Sequence, residues 1–190
     1  MKLQNVIMLC LLVKSCVCLA QSLQRPIQIV IDPGHGGIDS GAIGKNGVLE
    51  KDLVLQIAKQ LTRKASSFDH KPAHYYLTRY TDTLISLGDR TDLAKRLKAD
   101  IFISLHFNDA SNADAQGIEV YVYDGPSEYR EESVWLAYTI QEKLAGLTKQ
   151  KKRGVKFADF QVLRDLSDSC PAVLVELGFI NRIFVNIGNN

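Results

Sequence analysis

Ile27-Gln28-Ile29-Val30-Ile31-Asp32-Pro33-Gly34-His35-Gly36-Gly37 is the stretch whose reading decides the fold. Its first five residues form a short apolar, β-branched run, and Asp32-Pro33-Gly34 ends it, the signature of a strand running into a turn. Outward from this stretch the chain alternates. Leu49 to Ser66 sets Leu53, Ile57, Ala58 and Leu61 at helical spacing, and Leu87 to Leu97 repeats that pattern. Tyr75 to Thr78 and the strongly apolar Ile101 to Leu105 read as strands. Glu119 to Tyr123 reads as strand after Gly117, Val134 to Leu147 as an amphipathic helix, and Val173 to Val175 as a last buried strand. Strands separated by helices of this length predict an α/β domain whose central sheet is covered on both faces. No repeat, low-complexity tract or linker breaks residues 26–190, so a single domain is expected there.

In sheets of this kind functional groups gather where strands end. His35 follows the first strand, between glycines that let the backbone turn sharply and leave the imidazole unobstructed. His106 stands in the same position after Ile103-Ser104-Leu105, and two such histidines can converge on a metal as neutral imidazoles. Glu50 opens the first long helix, where a carboxylate also complements the helix dipole, so both readings of it stand. Glu176 ends the apolar run Pro171 to Val175. A carboxylate buried there needs a cation or a hydrogen-bond partner, and a strand-end ion pair is the plainer alternative. Two histidines and a glutamate make a common catalytic zinc set that leaves a position for water, and a further glutamate outside the set can take the proton.

At 190 residues no second catalytic domain is expected within this stretch. Residues 1–20 carry Lys2, an apolar run from Val6 to Val13, and Leu19-Ala20 near a plausible cut, the order of a secretory signal peptide. Lys14 interrupts the run before the ~20 apolar residues a membrane span needs. An uncleaved anchor and a lipidated Cys16 are the weaker alternatives. Export to the periplasm or cell envelope is therefore expected. Cys10, Cys16 and Cys18 fall in this segment; Cys170 remains, with no internal disulfide partner, and reads as a small buried side chain. The formal net charge of +2 rests on Lys2 and Lys14, so the rest of the chain has no basic field that would argue for nucleic acid. Lys149 to Arg153 is a local cluster, expected as a solvated helix end or loop rather than a patch for acidic glycans.

The motifs together resemble the zinc-dependent N-acetylmuramoyl-L-alanine amidases of the AmiA/AmiB/AmiC and CwlV type. They are Ile29 through Gly37, Leu49-Glu50-Lys51-Asp52, Leu77-Thr78-Arg79 with Asp82, Leu87-Gly88-Asp89-Arg90, Ser104-Leu105-His106-Phe107-Asn108, Gly117 to Tyr121, and Pro171 through Phe179. Each is a weak pattern, and their shared order makes the likeness specific. The resemblance implies a twisted six-stranded sheet flanked by helices, related in outline to zinc exopeptidases within the phosphorylase/hydrolase-like folds. It implies His35, Glu50 and His106 as ligands of Zn2+ and Glu176 as the catalytic carboxylate. It also implies hydrolysis of the amide between N-acetylmuramic acid and L-alanine of peptidoglycan or muropeptides. In that mechanism zinc polarises the lactyl carbonyl, Glu176 takes a proton from metal-bound water, and Glu176 returns it to the departing nitrogen. Asn108 is expected either to hydrogen-bond substrate or to cap its turn. Arg79 and Arg90 are expected to form ion pairs that fix strand and helix.

Two departures from the family pattern set expectations of their own. The segment between Asn108 and Ile118 is too short for the several-turn helix that blocks the zinc in some members, so an open site is expected. After Phe179-Ile180-Asn181-Arg182 the family continues into a last helix packed on the sheet, whereas this sequence reaches Asn190 after Ile183-Phe184-Val185-Asn186-Ile187, so that helix is expected to be missing. Its loss would bare apolar sheet surface, at ~1.5–3 kcal/mol for each large side chain left unburied. A monomer is expected, and an activating partner is left open. The rival readings are a muropeptide-binding protein that does not cut, and a zinc peptidase acting on ordinary peptides.

Overall fold

The computed structural model describes residues 25–182, apart from 46, 69–72 and 113. The signal-peptide and lipidation readings, and the expectation of a missing last helix, lie outside the described residues. Apolar β-branched runs become strands and amphipathic stretches become helices, in the order β1 (Ile27–Pro33), α1 (Glu50–Phe68), β2 (Ala73–Leu77), α2 (Leu87–Arg96), β3 (Ile101–Asn108), β4 (Ile118–Val122), α3 (Arg130–Thr148), β5 (Lys152–Phe157), α4 (Gln161–Arg164) and β6 (Ala172–Phe179). They build one six-stranded sheet ordered β2-β1-β3-β6-β4-β5. The first four of these strands run parallel; β4 is antiparallel to β6, and β5 runs parallel to β4.

Successive side chains of a strand face opposite sides of the sheet, so each buried strand feeds two cores. Ile31, Leu105, Val175 and Val120 pack on one side with Val54 and Ala58 of α1 and Ala137 and Ala145 of α3. Val30, Phe102 and Leu174 pack on the other with Ala94 of α2 and Val162 and Leu163 of α4. Burial on both faces explains why these strands read as unbroken apolar runs rather than as alternating ones. Ser86 caps α2 by accepting from the Asp89 backbone N–H, which fixes where that helix starts.

The topology decides where chemistry can sit. From β1 the chain crosses to β2, and the next crossover returns to the other side of β1 to form β3. The connections therefore diverge at the C-terminal ends of β1 and β3, where a crevice opens. Both strands outrun their apolar cores: β3 continues through His106 to Asn108, and β6 through Glu176 to Phe179.

The Lys149–Arg153 cluster is not a solvated helix end or loop throughout, because Lys152 and Arg153 open the edge strand β5. An edge strand has one neighbour and is commonly charged, so its sequence lacks the apolar signal of the central strands. Leu61 is 45% exposed despite its helical spacing, since periodicity registers side-chain type and not whether a neighbour is within reach. The short helix α4 was not anticipated at all. As expected, Cys170 is buried, its thiol pushed up to about 11 by burial and then by the charge of Asp100. Among the described residues of 109–117 there is no helix. No helix among the described residues is long and apolar enough to cross a membrane.

Candidate metal centre

At the crevice the chain leaves β1 through a turn that forces His35 into the left-handed backbone region, at φ 58°. Such a conformation costs a non-glycine residue about 1–3 kcal/mol unless its surroundings hold it. Two buried arginines do so. Arg90 donates to the carbonyls of Pro33 (3.0 Å) and His35 (2.8 Å), and Arg79 to those of Pro33 (3.0 Å) and Gly34 (2.8 Å). Arg79 also reaches the Lys51 carbonyl at 2.8 Å, tying the turn to the first turn of α1. Arg90 forms the expected ion pair, 2.6 Å from Asp32 Oδ1. Arg79 works instead through carbonyl oxygens, because the turn's own C=O groups point at it.

Asp32 anchors this arrangement from inside β1, where it is 1% exposed. It accepts from Thr78 (2.5 Å), Ser104 (2.7 Å) and Arg90, so its charge is fully engaged on three neighbouring elements. The close packing leaves no room for side chains at two glycines. A Cβ on Gly34 would fall 2.2 Å from the His106 ring, and one on Gly41 would fall 2.6 Å from both Glu50 Oε2 and His35 Cδ2.

These constraints bring His35, Glu50 and His106 together. His35 Nε2 lies 3.1 Å and His106 Nδ1 2.9 Å from the same oxygen, Glu50 Oε1. One ligand atom from each of the three residues falls within 4.8 Å of the others. Donors each about 2.0–2.2 Å from a shared tetrahedral ion stand roughly 3.3 Å apart, so this donor set fits a divalent metal. The imidazole rings meet edge to face, with centroids 4.9 Å apart. Asp39 Oδ2 lies 2.8 Å from His35 Nδ1 and turns Nε2 inward, the outer partner a ligating histidine needs. Glu50 is held by backbone N–H groups of Ala42 (2.8 Å) and Phe107 (3.0 Å). It sits in the first turn of α1, where a carboxylate complements the helix dipole, and its Oε1 stands between the two imidazoles.

Burial alone would raise the Glu50 pKa, but hydrogen bonds from His106, His35 and Ala42 outweigh it and hold the carboxyl well below the usual range. Burial would lower the His35 pKa, and here the hydrogen bond and charge of Glu50, then those of Asp39, outweigh it and raise it. Protons and a cation therefore compete for the same cluster.

Glu176 pairs in register with His106 across β3 and β6 and lines the same cavity of about 610 Å³. Its Oε2 is buried with no protein hydrogen-bond donor. Burial first, and the charges of Glu50 and Glu119 next, push its carboxyl up to about 8. Asn108 also lines the cavity, but its side-chain nitrogen donates to Glu119 Oε2 at 3.0 Å, so the amide ties β3 to β4 rather than capping its own turn. Leu84, Ile85, Phe160 and Val162 give the cavity apolar walls.

Four residues that shape the site carried no role from sequence alone. Asp39 was signalled only by its place four residues after His35 in a glycine-rich loop, and Asp32 only by being a charge inside a buried run. Glu119, 2% exposed, accepts from Tyr121 (2.7 Å), Asn108, Arg153 and Lys156 (2.8 Å). Arg153 belonged to a cluster whose pattern suggested solvent.

Residues 29–183 match the family described as N-acetylmuramoyl-L-alanine amidase. The N-acetylmuramoyl-L-alanine amidase LytC of Bacillus subtilis is 41% identical over 166 residues, 86% of this chain and 32% of LytC. The chain thus spans about a third of that relative's length. Among solved structures, an N-acetylmuramoyl-L-alanine amidase from Clostridium difficile 630 superposes with a TM-score of 0.75 at 38% identity, covering 83% of this chain and 82% of the other. The catalytic domain of CwlV, an N-acetylmuramoyl-L-alanine amidase from Bacillus (Paenibacillus) polymyxa, gives a TM-score of 0.71 at 31% identity, covering 82% of each chain.

Proposed function

The chain belongs to the N-acetylmuramoyl-L-alanine amidase family, and from that premise we propose that it hydrolyses the amide joining N-acetylmuramic acid to L-alanine in peptidoglycan. The observation that carries the proposal is the convergence of His35, Glu50 and His106 beside Glu176, whose buried oxygen has no protein donor.

Two imidazoles and a carboxylate suit zinc, and His35, Glu50 and His106 are the residues that would hold it. Bound there, zinc supplies Lewis-acid polarisation of a carbonyl and makes water a nucleophile near neutral pH. Asp39 keeps the His35 ring turned for this task, and the Ala42 and Phe107 amides keep the Glu50 carboxylate in place. Glu176 takes the proton of the attacking water on its free oxygen and delivers it to the departing alanine nitrogen. Its position supports the role: it stands one strand from His106, and its pKa of about 8 lies close to the working range. A cation bound beside it favours its ionised, proton-accepting form. The apolar walls at Leu84, Ile85, Phe160 and Val162 offer the substrate nonpolar contact. Asn108, at the cavity's edge, offers its amide oxygen to a substrate donor.

The protein acts outside the cytoplasm, a reading supported by the charge and hydropathy order of residues 1–20. Incubating purified protein with peptidoglycan and zinc tests the whole proposal through the appearance of free N-terminal L-alanine. Retention of muropeptide without release would establish the binding protein instead, and cleavage of plain peptides with no effect on the sugar-linked bond would establish the peptidase.

A further inference from the structure

The sheet register sets one row of side chains across four strands on the face covered by α2 and α4. His106 stands opposite Glu176, Glu176 opposite Glu119, and beyond Glu119 comes the start of β5. Pairing of β4 with β5 runs from Ile118 with Lys152 to Val120 with Val155, so Arg153 and Gly154 together oppose Glu119. This is a bulge, a device that re-aims a side chain beside a site. It is built in: Gly154 takes φ 93°, and buried Gln141 clasps both its C=O (2.9 Å) and its N–H (3.2 Å). Its consequence is that Arg153 turns onto Glu119, with its guanidinium 5.3 Å over the Phe179 ring. Lys156 Nζ reaches the same Glu119 oxygen at 2.8 Å.

Two cations thus share one carboxylate, and a unit of positive charge remains uncompensated. Glu119 is buried, whereas the Arg153 and Lys156 side chains are 34% and 37% exposed, so the excess charge is presented outward. Holding Glu119 in the core requires a single counter-ion. The second cation, and the bulge that aims the first, are then free for another task.

We infer that Arg153 and Lys156 form an anion-binding ledge beside the cleft, which takes a carboxylate carried by the peptide half of the substrate. This rests on the amidase reading. Neighbouring strands lie about 4.8 Å apart, so the Glu119 position is roughly 10 Å along the row from His106. Two extended residues and a side chain span a comparable length, at about 3.3–3.6 Å per residue. The ledge therefore selects the free carboxylate of the second residue, next after the alanine at the cut.

The test uses two muramoyl dipeptides that differ only at that group, a carboxylate in one and a primary amide in the other. Calorimetry on the zinc-loaded Glu176→Gln protein, which leaves the ligands uncut, should show about tenfold tighter binding of the carboxylate form, the scale of a hydrogen bond to a charged group. Adding Lys156→Gln or Arg153→Gln should bring the ratio towards one by weakening only the carboxylate ligand. Lys152→Gln, whose side chain pairs with Glu142 at 2.7 Å, should keep the preference. If Arg153→Gln unfolds, the half-exposed Lys156 still carries the test. Equal affinity for both ligands in the parent, or an undiminished preference in Lys156→Gln, would overturn the ledge. Hydrolysis by the unsubstituted protein is a separate readout: failure to cut either muropeptide counts against the amidase reading, while the affinity ratio still reports on the ledge.

Discussion

Glu119 and Glu176 face one another across β4 and β6, on the same face of the same sheet, yet their surroundings are opposite. Glu119 accepts from a tyrosine, an asparagine, an arginine and a lysine. Burial would raise its pKa, but the bonds from Lys156, Arg153 and Tyr121 outweigh that and lower it. Glu176 has an oxygen with no protein donor, and burial pushes its carboxyl up to about 8. A fold that can surround one carboxylate with four donors has left its neighbour poised to exchange a proton. Saturation suits a structural acid, and the lack of it suits the proton-transfer role proposed for Glu176.

The sharpest way to break this contrast is Glu176→Gln. Hydrolysis should fall by about 10³-fold while zinc content stays near one per chain, and metal analysis beside an alanine-release assay checks both. His35→Ala, by contrast, should lose metal and activity together. Full activity in Glu176→Gln would remove the assigned role.

Exchanging the saturated partner should do something different. Glu119→Gln leaves Arg153 and Lys156 facing a neutral amide, and the expected cost is about 2–3 kcal/mol of stability in urea unfolding, with zinc still bound. Complete loss of zinc with unchanged stability would reverse the two roles.

The contrast also predicts opposite pH slopes. Glu176 has a raised pKa, so its contribution to the metal-free fold is complete below its ordinary value of 4.5 and is lost as pH rises to about 8. Glu119 has a lowered pKa, so its contribution is present above 4.5 and is lost as pH falls through its lower folded value. Between pH 6 and 8 the apo Glu176→Gln variant should therefore gain about 2 kcal/mol relative to the parent, and parallel melting curves across that range check it. A slope unaffected by the substitution would mean that Glu176 is not held neutral.

The smallest expected effect concerns Asp32, saturated like Glu119. Ser104→Ala removes one of its three side-chain donors and should cost about 1 kcal/mol without altering metal content.

Much of this was legible in the chain. The strands at Ile27 to Ile31, Ile101 to Leu105 and Val173 to Val175 announced themselves because burial on both faces demands unbroken apolar runs. His35 and His106 stood out because each follows such a run directly. Lys152 to Phe157 did not read as a strand, since an edge strand needs no apolar signal. Arg153 looked like a charge paired only with solvent because the bulge that aims it at Glu119 depends on its pairing with β4. Asp39 was silent because its role is defined only by the orientation of the His35 ring.

By itself the sequence determined the α/β alternation and the residues available for chemistry, since side-chain polarity and local backbone freedom are properties of the chain. Only the tertiary structure decided that Glu50 meets both imidazoles, that Glu119 is satisfied and that Glu176 is not. Those facts are set by donors and charges brought within hydrogen-bonding reach from distant parts of the chain, and no local pattern encodes such distances.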